Sequence, residues 1–432
     1  MGGMSEVSYE EFLDRRKSNL PQFGKDPGDL GDHLFGFQKE IVRFACSVGR
    51  PAVWADTGLG KTRMMLTWCS EMGDTTLIVA PLAVADQTVN EASSIGMSAR
   101  YIRDGADVDG PGIYVTNYEM IEKFDPGMFD AVALDEASIL KNSDGKTRTR
   151  LINQFRDVRY RSAWTATPAP NDPEELTSQA EFLGHSTRTN MLAAYFVHDQ
   201  DGWRLKGHAV EPMLDWMSQW AIAVRVPSDL GFADDGYILP GLEVVPELVD
   251  VEIAPADDEL FSLTIGGVSG RSRVRRETLD ARVKRALALV ESEPDESWVL
   301  WVGMNAEGDA LEKLIPGSVQ VHGSQSPEDK ARLLRGFADG DFKVLITKPK
   351  IASFGLNWQH CARIAFVGIG DSYEQYYQAI RRCYRFGQKR VVRAHIVVSE
   401  LEETIAANVA RKEKQANRIV DGMVRRIRRS AA

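Results

Sequence analysis

Two α/β lobes, each a parallel sheet with flanking helices, are what the sequence predicts, and three observations predict them. From residue 35, short apolar runs alternate with loops or helical stretches. Around 183–250 this rhythm breaks. It then resumes and continues to about residue 400. Strands separated by helical stretches argue for parallel pairing, because parallel neighbours need a crossover connection.

The elements follow in order. Residues 1–32 read as an arm, with a short charged helix over Tyr9–Lys17 and a Gly/Pro/Asp stretch from Gly24 to Asp32. A first lobe, 33–245, holds the runs Ala52–Ala55, Leu77–Ala80, Ile113–Thr116, Ala131–Leu134 and Ala163–Thr165. Late in this lobe Trp203, Trp216 and Trp220 sit in helical-looking segments, and a turn-rich connection spans Pro227 to Pro246. A second lobe, 246–400, holds Trp298–Val302, Val319–Val321, Val344–Thr347, Ile364–Val367 and Ala394–Val398. Its early segment Arg271–Arg285 is locally basic. The end, 401–432, reads as a basic helix: Arg411–Arg429 carries eight basic residues against two acidic ones. Such a helix either adds affinity for DNA or is a solvated face.

The chain has 432 residues, 43% hydrophobic and 26% charged, with a formal net charge of -10. Nucleic-acid contacts therefore come from local patches on an acidic body, not from a basic coat. Cys46, Cys69, Cys361 and Cys383 form no CxxC pair and have no histidine cluster, so they read as buried thiols in a reducing compartment, not a zinc site or disulfide framework. The N-terminus is polar, and no apolar run is long enough to span a membrane. The expected location is the cytoplasm, or the host cytoplasm for a viral protein, and the expected state is a monomer.

The run Ala52–Ala55 leads into Ala55-Asp56-Thr57-Gly58-Leu59-Gly60-Lys61-Thr62, with a helix starting near Lys61. Glycines let the backbone curl so that the N–H groups of Thr57, Gly58, Leu59 and Gly60 face phosphate oxygens, and the helix N-terminus adds partial positive charge. Lys61 can reach the β- and γ-phosphates of ATP, and Thr62 can bind Mg2+. An acidic pair then closes the run Ala131–Leu134. Asp135 is the metal candidate and Glu136 the base that orients water. Gln38, about 20 residues before the loop, carries an amide that can pair with adenine.

In order and spacing these motifs resemble the superfamily-two helicases. Thr165-Ala166-Thr167-Pro168 resembles the family's Ser/Thr-Ala-Thr motif, whose hydroxyls are thought to link hydrolysis to lobe movement. Tyr377 to Arg390 resembles the final motif of Swi/Snf-type ATPases, Gln-Ala-x-Gly-Arg-Ala-His-Arg-x-Gly-Gln. Arg382 and Arg385 fall on the two family arginines. On a helix, residues three apart share a face, so both could reach the γ-phosphate. Asp135 to Asn142 resembles Asp-Glu-x-His-x-x-Lys-Asn, with Ser138 in place of His. Val321 to Ser324 and Gly355 to Trp358 resemble segments of the second lobe that face nucleic acid, and Gly355 is also placed among the nucleotide contacts. The chain departs from the pattern at Ala55, Arg381, Tyr384 and Ala352-Ser353.

The resemblance covers roughly residues 33–400. It implies two RecA-like lobes with ATP between them, magnesium as cofactor, and a compact motor like those of viruses and bacteria. The implied partner is duplex DNA, held through phosphates with little sequence specificity. Candidate contacts are Pro81 and the residues after it, Thr116-Asn117-Tyr118, Lys141-Asn142, Gly323-Ser324, and Lys348 to Asn357. Two other readings stand beside it: an RNA helicase, and a non-enzymatic nucleic-acid-binding protein that kept the fold. DEAD-box RNA helicases usually end in His-Arg-x-Gly-Arg, whereas this chain has Tyr384-Arg385-Phe386-Gly387-Gln388.

Overall fold

The computed structural model describes residues 23–141, 145–200, 202–249, 275–352, 357–368, 370, 372–399 and 403–431. The chain divides into two compact units. One is Met1–Asp234 together with Gln415–Ala432, and the other is Asp235–Lys414. The helix expected over Tyr9–Lys17 lies outside the described residues.

The first unit is built on seven strands: β1 (Ala52–Ala55), β2 (Thr75–Ala80), β3 (Ala99–Tyr101), β4 (Gly112–Asn117), β5 (Ala131–Asp135), β6 (Tyr160–Trp164) and, after an intervening hairpin, β9 (Ala221–Val224). Their order is β3-β4-β2-β5-β6-β1-β9, with every neighbouring pair parallel. Strands β1, β5 and β6 are buried on both faces, as the apolar runs of β1 and β5 require. The hairpin, β7 (Phe196–Asp199) and β8 (Gly202–Leu205), is antiparallel. Trp203 therefore lies in a strand, held edge-on to His198, and not in the helix its surroundings suggested. Trp216 lies in the helix Val210–Met217 and packs edge-on against Trp220, 5.2 Å away.

The second unit has six strands: β10 (Leu242–Val249), β11 (Trp298–Trp301), β12 (Val319–Val321), β13 (Val344–Thr347), β14 (Arg363–Phe366) and β15 (Val392–Ser399). Their order is β10-β15-β14-β11-β13-β12, again all parallel. Strand β10 takes in part of the stretch read as a connection. Within the basic segment, Arg282 is wholly buried in an ion pair with Glu307 and also donates to the carbonyl of Val367. Glu307 Oε2 accepts from the N–H groups of Gly303 and Met304, at 2.7 and 3.0 Å. Arg285 is bound to Glu247. These cations hold elements of their own lobe together. A buried pair survives only when its remaining polar atoms are satisfied in this way.

The last helix, Glu403–Ala431, ends in the first unit. Ile419, Met423 and Val424 are buried in that lobe's core with Met213, Leu214 and Trp216. Gly422 permits the approach, since a Cβ there would come within 2.4 Å of Leu214 Cδ1. Arg426 pairs with Glu211 (2.8 Å) and Asp215 (2.7 Å), Arg428 with Asp229 (2.8 Å), and Arg225 with Asp421. Part of the tail's charge is thus spent on carboxylates of the first lobe. Among the described residues no helix is long and apolar enough to cross a membrane. Met423→Ala should lower stability by about 2–4 kcal/mol, the usual cost of emptying a core methionine site. Urea unfolding checks this, and an unchanged midpoint would remove the helix from the core.

Candidate nucleotide site

Strand β1 delivers the chain to the glycine turn. Gly58 and Gly60 take φ of +88° and +80°, which side-chain-bearing residues rarely adopt. A Cβ on Gly60 would also meet Gln38 Nε2 at 2.3 Å. The helix Lys61–Met72 follows at once. Thr57 N–H is turned onto Asp56 Oδ1 at 2.6 Å, and Leu59 is buried under the loop. Lys61 Nζ folds back to donate to the carbonyls of Ala55 (2.8 Å) and Asp56 (3.3 Å). Thr62, half-buried, is the next residue of the same helix.

Gln38 is buried, and its amide supports the loop. Nε2 donates to Leu59 O at 2.8 Å, and Oε1 accepts from Phe35 N–H at 2.9 Å. The structure therefore uses the Gln38 amide as a brace for the phosphate-binding turn.

Strand β5 ends in the acidic pair. Burial and the adjacent charge of Glu136 push the Asp135 carboxyl up to about 7, and the nearby Lys61 cation opposes the shift. Glu136 has φ of +53°, the one positive value among the described residues that are not glycine. That conformation costs on the order of 1 kcal/mol, and such strain collects where a side chain must be aimed. Glu136 N–H donates to Asp135 Oδ1 at 3.1 Å. Thr165 Oγ1, just past β6, donates to Glu136 Oε2 at 3.4 Å and accepts from Thr167 N–H at 3.1 Å. The motif Thr165–Thr167 thus touches the acidic pair. A buried Asp135 beside a half-buried Glu136, with one lysine nearby, is short of positive charge, and this donor set fits a hard cation such as Mg2+, with Asp135 and Thr62 as the holders.

Tyr118 is a positioning group that the motifs did not reveal. Its hydroxyl donates to the carbonyl of Asp135 at 2.6 Å from the end of the neighbouring sheet region. Thr116, Asn117 and Tyr118, expected to face nucleic acid, are all buried at the end of β4. The polar side-chain atoms of Asn117 and Tyr118 serve the lobe itself. Asn117, for example, donates to Tyr101 Oη at 2.6 Å. A tyrosine flanked by an apolar strand and two later acids was the available signal.

In the second lobe the helix Tyr373–Ile380 stops before the two family arginines. Arg382 and Arg385 lie in the turns that follow, so the helical-face argument does not hold. Arg382 O accepts from Trp358 N–H at 2.8 Å. Arg385 Nε is buried with no hydrogen-bond partner, and burial, with repulsion from Arg381, pushes its guanidinium down to about 10. Arg381, where the family has Gly, lies over the rings of Tyr377 (5.1 Å) and Tyr384 (5.3 Å). Gly355 and Asn142 lie outside the described residues.

The helicase conserved C-terminal domain model matches residues 283–387, within the second lobe. That match covers part of the second lobe and says nothing of the first. The two parallel sheets with flanking helices are tandem RecA-like lobes in fold. The solved structure of S. cerevisiae Dbp5, bound to RNA and ADP BeF3, is similar over 90% of this chain and 94% of that one, at 12% identity and a TM-score of 0.57. The Sulfolobus solfataricus SWI2/SNF2 ATPase core, in complex with dsDNA, is similar over 94% and 96%, at 17% identity and a TM-score of 0.45. At such identities the likeness is one of fold. No curated protein sequence matches the chain.

The site makes two stability predictions. Folded Asp135 keeps its proton up to about 7, whereas the unfolded residue loses it near 3.8. The folded state binds more protons across that window, so without nucleotide or metal, stability should fall as pH rises through it. Asp135→Asn should flatten the slope in urea titrations. It should do so only in part, because burial also holds Glu175 up to about 7. Glu136→Gly should raise stability by about 1 kcal/mol by releasing the strained φ. Glu136→Gln, which keeps the strain and removes the charge, separates the two contributions; equal gains from both would assign the effect to charge alone.

Proposed function

We propose that this chain is an ATP-hydrolysing motor that moves along duplex DNA with little sequence specificity. The observation that carries the reading is Arg385, a buried guanidinium whose Nε has no hydrogen-bond partner, at the position where the family motif places a phosphate-sensing arginine. A desolvated cation of this kind favours an anion, and a γ-phosphate supplies one. In the first lobe the glycine turn and Lys61 would hold the triphosphate. Asp135 and Thr62 would hold magnesium, which when bound neutralises charge on the β- and γ-phosphates. Glu136, aimed by its strained backbone and by Thr165, would orient the attacking water. Arg382 and Arg385 would then stabilise charge on the phosphate in transfer.

The Gly387-Gln388 ending favours DNA over RNA in this reading, because it follows the Swi/Snf-type pattern. The RNA-helicase reading stays as the alternative because Dbp5, a protein of similar fold, is bound to RNA. With a net charge of -10, binding through local patches should weaken steeply with salt.

ATPase rates with duplex DNA, single-stranded DNA and RNA decide among these. Duplex DNA should stimulate most. Glu136→Gln should lower kcat by about 100-fold or more. Arg385→Ala should still bind nucleotide and lose about 1000-fold in kcat, while Lys61→Ala should lose binding itself. Equal rates with and without every polymer would sink the motor reading. Stimulation by RNA alone would install the alternative.

A further inference from the structure

The Gly-Gln that closes the arginine motif has a geometry of its own. Gln388 is buried, and its amide is saturated. Nε2 donates to Cys361 O at 3.0 Å and to Cys383 O at 3.1 Å. Oε1 accepts from the N–H groups of Lys389 and Arg390, both at 2.9 Å. An amide has two N–H groups and two lone pairs, so no capacity is left for a nucleotide or a polymer. Gly387, at φ of +90°, turns the chain so that the side chain points back beneath the arginines.

Its two carbonyl partners belong to different segments. Cys383 stands between Arg382 and Arg385. Cys361 ends the segment Trp358–Cys361, just before β14. The same two segments are joined at every step. Trp358 N–H donates to Arg382 O at 2.8 Å, Gln359 Nε2 to Phe386 O at 3.1 Å, and an Arg390 guanidinium N–H to His360 O at 2.7 Å. Four consecutive residues, 358 to 361, are thus bonded to residues 382–390. Trp358 anchors the first segment, wholly buried against Trp301 and Phe337.

We propose that Gln388 is a positioning residue: it clamps the backbone of Arg382 and Arg385 to the segment 358–361, so that the two move as one block. The clamp needs an amide. A carboxylate could accept from Lys389 and Arg390 but could not donate to the two carbonyls, and an arginine could donate but not accept. The Gln that distinguishes this ending from the Gly-Arg ending is then an internal fastener and makes no contact with nucleic acid. Segment 358–361 follows directly on the residues expected to face the polymer. The block therefore gives polymer binding a rigid path to the arginines. The proposal rests on the reading of this chain as an ATPase that uses Arg385.

The test is steady-state ATPase of the full chain with saturating duplex DNA. Gln388→Met keeps the size and loses every hydrogen bond, and Gln388→Glu loses only the donors. Both should lower kcat by about 10- to 100-fold, the cost of a small misplacement of a catalytic group, with KM for ATP unchanged. The double variant Gln388→Met/Arg385→Ala should be no slower than Arg385→Ala, since both changes remove one function. Gln359→Ala, which cuts only the tie to Phe386, should shift kcat in the same direction by less, and it covers the case in which the Gln388 variants fail to fold. If the wild type hydrolyses ATP and Gln388→Met keeps its kcat, or the double variant loses both effects in full, the proposal is overturned while the ATPase reading stands. If the wild type hydrolyses no ATP, both fall.

Discussion

Two neighbouring carboxylates at the end of a fully buried strand set the conditions for the first lobe. Asp135 is buried one residue from Glu136, and its proton is held first by that burial and then by the adjacent charge of Glu136. Each surrounding feature answers that charge or aims it. Lys61 is the compensating cation. The glycine turn that positions Lys61 is braced from below by the Gln38 amide. Tyr118 fixes the carbonyl of Asp135, and Thr165 touches the carboxylate of Glu136. The strained φ of Glu136 is tolerated because β5 lies between β2 and β6, which leaves its end no slack to relax into.

The second lobe shows the same economy with opposite charge. Arg282 is affordable in the core because Glu307, Val367 and the neighbouring backbone meet its guanidinium. Gln388 is satisfied at all four of its hydrogen-bonding positions. Not every buried polar atom of this lobe is met: the indole nitrogens of Trp298, Trp301 and Trp358 and the Nε of Arg385 have no hydrogen-bond partner, and Arg385 alone of these four residues carries a charge.

Strands of continuous apolar residues were legible in the sequence: β1, β5, β11 and β13 lie where their runs stand. The strands that escaped notice are those whose residues carry no such run. Strand β3 is Ala-Arg-Tyr on a sheet edge, half in water, and β10 has its apolar residues interrupted by Glu243, Pro246 and Glu247. The hairpin β7–β8 and strand β9 sit among tryptophans that suit helix or sheet equally, so tertiary packing decided. The candidate motifs stand out in the sequence because each is local: a glycine turn, two acids after a strand, two arginines three apart. Tyr118 and Gln388 do not, because the groups they hold, Asp135 and Cys361, are 17 and 27 residues away. Spacing in the chain says nothing of such contacts. The arginines also showed that a helical spacing in the sequence does not make a helix, since the helix ends at Ile380, before both of them.

The final helix carries a consequence for how the molecule is made. The first lobe takes its last core residues, Ile419, Met423 and Val424, from the far end of the chain, with the entire second lobe encoded in between. Domains usually close in order as they are synthesised. Here the first lobe must wait for residues translated after the strands described for the second lobe. The order of completion is therefore reversed: the second lobe has those strands while the first still lacks part of its core.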